Sequence, residues 1–285
     1  MSVVLISILT LVGLGVASAL VLYMASKKFQ VFEDPRIDQV EEVLPKSNCG
    51  GCGFPGCRAF AEALVKSDDI SDLKCPVGGS ATMTKVSEIL GKAVADVKPQ
   101  LAVVRCNGSC EHRPKLNIYD GAMSCTMAAA LYGGETGCSY GCLGCGDCVV
   151  ACKFDAMYMD EATGLPVVIE ENCVACGKCV EACPKNIIEL RNVGPKSRRI
   201  FVSCVNKDKG AVAKKACAVA CIGCSKCFKV CPHEAITMAD NLAYIDDDKC
   251  KLCRKCVEEC PTFSIHELNF PPRKKKVEEE AVAEA

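Results

Sequence analysis

The sequence has no tryptophan, only 5% aromatic residues and three histidines in 285 positions. So little aromatic surface argues against large conventional cores. His112, His233 and His266 are too few and too scattered for a Rieske-type or histidine-based catalytic centre, and they read as ordinary surface histidines. No long basic run occurs apart from Arg273, Lys274, Lys275 and Lys276, and the formal net charge is −1, so the electrostatic footprint of a nucleic-acid binder is missing. Nucleotide and flavin motifs are missing too. Gly13 and Gly15 echo the start of a dinucleotide fingerprint but lie within an apolar run with no strand before them.

Charge is absent from Met1 to Ser26. At about 1.5 Å per residue, a helix of that length covers the hydrocarbon layer of about 30 Å. A cleaved signal would need a basic segment before the apolar stretch, whereas Lys27 and Lys28 follow it, which predicts one spanning helix with the remainder on the cytoplasmic side. A reducing compartment keeps thiols free for metal and sets aside a disulfide scaffold.

What the sequence does hold is 26 cysteines. The spacing C-x-x-C-x-x-C-x-x-x-C occurs four times, at Cys142, Cys145, Cys148 and Cys152; Cys173, Cys176, Cys179 and Cys183; Cys221, Cys224, Cys227 and Cys231; and Cys250, Cys253, Cys256 and Cys260. This is the bacterial ferredoxin spacing, in which three thiolates take one [4Fe–4S] cubane and the fourth ligates its neighbour. Crossing then predicts Cys183 with the first trio, Cys152 with the second, Cys260 with the third and Cys231 with the fourth. Proline follows the fourth cysteine at Pro184, Pro232 and Pro261, with Lys153 departing from the pattern. Zinc, the competing metal, prefers two C-x-x-C pairs held further apart.

The cysteine pattern is duplicated: Cys125 and Cys138 precede the first half as Cys204 and Cys217 precede the second, with identical gaps. Short hairpins are predicted over Met157 to Ile169 and Ile236 to Ile245. A separate block, N-C-G-G-C-G-F-P-G-C, carries Cys49, Cys52 and Cys57, with Cys75 completing four; a helix is predicted after Pro55 and another near Val86, Ile89 and Leu90. Cys106, Cys110, Cys125, Cys138, Cys204 and Cys217 remain. They are open to use as buried thiols, as a sixth cluster set such as Cys106, Cys110, Cys125 and Cys138, or, for Cys138 and Cys217, as replacements for Cys145 and Cys224.

The expected fold class is α+β: a single N-terminal transmembrane helix, a small cluster-binding domain and two bacterial-type 2[4Fe–4S] ferredoxin-like modules. The expected segments are an anchor at 1–26, a linker at 27–44, the N-terminal cluster domain at 45–95, modules at 96–195 and 196–270, and a disordered tail at 271–285. At least five [4Fe–4S] clusters follow, with a sixth if the spare cysteines combine.

An apolar helix, then P-K-S-N-C-G-G-C-G-F-P-G-C with Cys75, then ferredoxin runs, closely resembles the B subunits of Rnf complexes over nearly the whole chain. Shorter members carry one ferredoxin module, so this chain resembles a long form. The resemblance implies an electron-transfer subunit of a membrane-bound ion-translocating ferredoxin:NAD oxidoreductase, without a complete active site of its own. It implies soluble ferredoxin as redox partner and flavin- and cluster-bearing subunits beyond. Competing readings are a cluster-bearing subunit of a corrinoid-linked methyl-transfer system and a non-redox zinc scaffold.

Overall fold

In the computed structural model, residues 3–28, 34–94, 98–131 and 133–272 are described. The expected tail lies outside the described residues from 273 onward, as do residues 29–33 of the expected linker. Helix α1 (Val3–Lys28) is long and apolar enough over Leu5–Lys28 to cross a membrane, and it buries none of that stretch within the chain. Lys27 and Lys28 form its last turn.

The linker expectation needs correction at its C-terminal half. Residues Arg36–Val43 form α2, whose Ile37 and Val40, with the following Leu44, are buried against α3 (Cys57–Lys66) and α4 (Gly79–Leu90). These three positions follow helical spacing and make one apolar stripe, which the surrounding charge density obscured. Asp38 and Glu41, from the opposite flank of α2, hold Arg58 at 3.0 and 2.9 Å. Phe60, Leu64, Ile70, Met83 and Val86 complete this small core. The two helices expected after Pro55 and around Val86 are α3 and α4, the latter ended by Gly91 in the left-handed conformation.

Among the described residues, four two-stranded antiparallel sheets build the rest. In the first module β1 (Gln100–Val104) pairs with β4 (Ile188–Asn192), and β2 (Met157–Asp160) with β3 (Leu165–Val168). In the second, β5 (Arg199–Val202) pairs with β8 (Ile265–Leu268), and β6 (Ile236–Ala239) with β7 (Leu242–Ile245). Both expected hairpins are present. The tighter one turns through Asp240 and Asn241, both at positive φ (47° and 60°), the two-residue geometry that matches strand twist. The outer pairs β1–β4 and β5–β8 close each module end to end, a long-range pairing with no local signal.

Helices α5 (Cys125–Leu131) and α8 (Gly210–Ala216) precede the two first runs. Within the runs lie four short helices, α6 (Asp147–Val150), α7 (Lys178–Glu181), α9 (Lys226–Val230) and α10 (Lys255–Glu258), each carrying the third cysteine of its run. Just ahead of each, one residue takes a left-handed conformation: Gly146, Gly177, Ser225 and Arg254. All four runs therefore wrap by the same backbone path, and glycine is spared strain there while serine and arginine are not. Ser225→Gly is expected to raise stability by about 1 kcal/mol, read as a higher denaturant midpoint for loss of the visible cluster absorption. An unchanged or lower midpoint would contradict it.

Candidate metal centres

The N-terminal block places Cys49 and Cys52 in a glycine-rich loop and Cys57 in the first turn of α3. Asn48 shapes the junction: its Oδ1 accepts the Cys57 N–H at 2.8 Å, filling a helix-start donor that Gly56 leaves uncapped. The Gly51 and Gly78 N–H groups donate to the sulfurs of Cys49 and Cys75 at 3.4 and 3.3 Å. Burial, then the proximity of Cys52, Cys57 and Cys49, raises the Cys75 thiol above its ordinary range, so the four thiols converge.

In the first module a cavity of about 340 Å³ is lined by Cys152, Cys173, Cys176 and Cys179, with the Ala156 N–H donating to the Cys152 sulfur at 3.4 Å. In the second, a cavity of about 310 Å³ is lined by Cys231, Cys250, Cys253 and Cys256. Each joins three cysteines of one run to the fourth of the other. The remaining second-module set, Cys221, Cys224 and Cys260, gathers around Cys227, whose thiol is pushed up to about 11 by burial and then by those neighbours.

The first run of the first module differs. Its cavity of about 360 Å³ is lined by Cys142, Cys148, Cys183 and Cys125, while Cys145 lies beside Cys125 at its edge. Five thiols share this place. The residue that approaches Cys145 is thus Cys125, brought in by α5, whereas Cys138, considered above for that position, faces elsewhere; Cys217 likewise does not replace Cys224. The grouping Cys106, Cys110, Cys125 and Cys138 does not assemble. Cys106 and Cys138 line a cavity of about 330 Å³ with Cys204 and Cys217, and Cys110 is exposed over Gly164. The signal that could have found this is the apolar strand before Cys106, Leu101 to Val104, which matches the strand Ile200 to Val202 before Cys204.

All 26 cysteines are free thiols. Burial, reinforced by neighbouring thiolates, pushes Cys142, Cys179 and Cys256 up to about 12, so bare sites hold neutral thiols, and cationic metal would displace their protons on binding. Thiol donors grouped in fours, backbone N–H groups aimed at sulfur and cavities of one size fit [4Fe–4S] cubanes. The sites also adjoin one another: Gly51 packs so closely on the Cys176 backbone that a Cβ would lie 2.8 Å from its carbonyl oxygen, and Cys49 is near enough to Cys176 to oppose its ionisation.

Comparison with known proteins places these sites in a family. Residues 44–77 match a family model described as "Putative Fe-S cluster", residues 141–187 and 220–264 match a 4Fe-4S dicluster domain, and residues 172–235 match a second dicluster model. The chain is 44% identical over 253 residues to the B subunit of the Na(+)-translocating ferredoxin:NAD(+) oxidoreductase complex of Acetobacterium woodii, covering 89% of this chain and 73% of that protein. It is 43% identical to the B subunit of the proton-translocating ferredoxin:NAD(+) oxidoreductase complex of Clostridium ljungdahlii, over 93% of both chains. It is 42% identical to the B subunit of the ion-translocating oxidoreductase complex of Methanosarcina acetivorans, over 93% of this chain and 98% of the other. Identity of this extent over nearly the full length, on a scaffold of clustered thiols behind one apolar helix, means that the chain belongs to the family of B subunits of ion-translocating oxidoreductase complexes, the Rnf family.

Proposed function

We propose that this chain is the electron-relay subunit of a membrane-bound ferredoxin:NAD oxidoreductase of the Rnf type. It takes electrons from soluble ferredoxin and passes them to flavin- and cluster-bearing partner subunits. Helix α1 is its single-pass anchor, and Lys27 and Lys28 at the end of α1 keep the thiol-bearing domains in the cytoplasm. Ion movement falls to partner subunits, because a single helix without charge before its terminal Lys27 and Lys28 offers no polar pathway.

Five cluster sites serve this role: Cys49, Cys52, Cys57 and Cys75; Cys142, Cys145, Cys148 and Cys183, with Cys125 in reserve beside Cys145; Cys173, Cys176, Cys179 and Cys152; Cys221, Cys224, Cys227 and Cys260; and Cys250, Cys253, Cys256 and Cys231. When bound, [4Fe–4S] clusters supply one-electron chemistry, and the chain's residues hold them adjacent and tune them through N–H···S contacts. The observation that carries the reading is the direct packing of the N-terminal site on the Cys176 loop, which sets the N-terminal thiol site against those of the first module rather than leaving it isolated.

The test is the whole complex purified anaerobically with and without this subunit. Ferredoxin-dependent NAD reduction is expected to vanish without it, while its own brown absorption bleaches on addition of reduced ferredoxin. A colourless, zinc-loaded chain, or one that reduced ferredoxin leaves unbleached, would defeat the proposal.

A further inference from the structure

The cavity of about 330 Å³ lined by Cys106, Cys138, Cys204 and Cys217 lies between the two modules; Cys106 and Cys138 fall outside the family-model matches, whereas Cys204 and Cys217 lie within the match over residues 172–235. We infer that it is a sixth [4Fe–4S] site, built half from each module, that joins their clusters into one line; the inference rests on the relay reading above.

Its construction is symmetric. Cys106 follows β1 by two residues, and Cys204 follows β5 by two. Cys138 and Cys217 each stand four residues before the first run of their module. Each module therefore gives one cysteine from a strand end and one from the approach to its first run. The duplication read from the sequence consequently shifts: the fold counterpart of Cys204 is Cys106, and Cys125 belongs to the longer segment that the first module inserts between Cys106 and Cys138.

Size and chemistry suit a cubane. The ferredoxin-type cavities measure about 310, 340 and 360 Å³, and this one falls among them. Four thiolates around such a core leave net negative charge, which needs donors and cations. The Asn206 side-chain amide donates to Cys138 sulfur and its backbone N–H to Cys204 sulfur, both at 3.5 Å. Arg113, 8% exposed, lines the cavity with an Nε that has no hydrogen-bond partner among the described residues. Arg105, equally buried, donates to the carbonyls of Val202 and Cys204 behind it. A side chain at Gly108 would come within 3.3 Å of Cys217 sulfur, so the backbone there is drawn close to the thiols.

Position supplies the purpose. Cys106 neighbours Cys142 of the first module, and Cys204 accepts a backbone hydrogen bond from Cys221 of the second. The cavity thus touches one cluster site on each side. Each transfer across it oxidises one core and reduces the next by a single electron, with no proton or further reactant, and reduced ferredoxin is the source.

The full-length chain, purified anaerobically in detergent, is examined by native mass spectrometry, which resolves clusters as discrete mass steps, alongside iron, sulfide and zinc analysis. The wild type is expected to hold six clusters, about 24 iron atoms. Cys138→Ala/Cys204→Ala is expected to hold five, about 20, and Cys110→Ala to keep six. Where the double variant loses more than one cluster, Cys217→Ala alone is the deciding variant and should lose iron from one cluster only. Five clusters in the wild type, with the same five in these variants, would overturn the sixth site and spare the relay. One zinc ion per chain, lost in the double variant, would also overturn it, and fewer than five clusters in the wild type would sink both readings.

Discussion

Gly51→Val is expected to leave every cluster in place yet slow ferredoxin-dependent NAD reduction by the assembled complex at least about tenfold. A Cβ at this position would lie 2.8 Å from the Cys176 carbonyl oxygen, 3.0 Å from its Cα and 3.1 Å from Pro76. Two of these contacts are backbone of a cluster-binding loop and cannot rotate away. The larger side chain must therefore wedge the N-terminal domain off the first module, while Gly51 itself is not part of that domain's apolar core. Electron transfer between centres slows exponentially as the gap between them widens, so a wedge at this joint acts on the rate without removing a cluster. The measurement is NAD reduction with reduced ferredoxin, paired with an iron count on the same preparation. Full activity with normal iron would show that this joint carries no electrons, and lost iron would show that Gly51 serves cluster binding instead.

The joint could not be foreseen from the sequence, although its parts could. The four C-x-x-C-x-x-C-x-x-x-C runs and the N-C-G-G-C block are legible because a cubane demands fixed spacing within a local loop, and Pro and Gly punctuate those loops. The hairpins at β2–β3 and β6–β7 are legible for the same reason, being local. What stayed hidden is non-local. The β1–β4 and β5–β8 pairs join residues far apart in the chain. Cys125 matched Cys204 by a gap of equal length, but one opens a helix and the other follows a strand. Only once the strands are paired does Cys106 take its place opposite Cys204. The α2 stripe was hidden differently: three apolar residues among acidic ones do not announce burial until α3 and α4 are present to receive them.

Arg191→Ala is expected to cost about 3–5 kcal/mol, because it breaks a buried ion pair by removing one partner. Arg191 is 2% exposed, although it is charged. Its guanidinium pairs with Glu189 at 2.6 Å within the first module and reaches across to the second, where it donates to the Ile245 carbonyl and lies 3.9 Å from Asp247. It also lies over the Tyr244 ring at 5.4 Å, with Arg105 at 5.0 Å from the same ring and 3.1 Å from Glu189. Removing Arg191 leaves the Ile245 carbonyl without this donor and Asp247 without its cation, while Arg105 alone balances Glu189. Since these contacts cross between modules, the loss should appear first as their separation. Limited proteolysis is expected to cut the connecting segment 193–198 in the variant before either module loses its visible absorption, and the denaturant midpoint should fall. Arg191→Lys, which keeps the charge but not the planar fork, should fall between the two. A loss below about 1 kcal/mol, the worth of an exposed pair, would mean that the modules are held together by something other than this arginine, and the thiol cavity they share would be the next place to look.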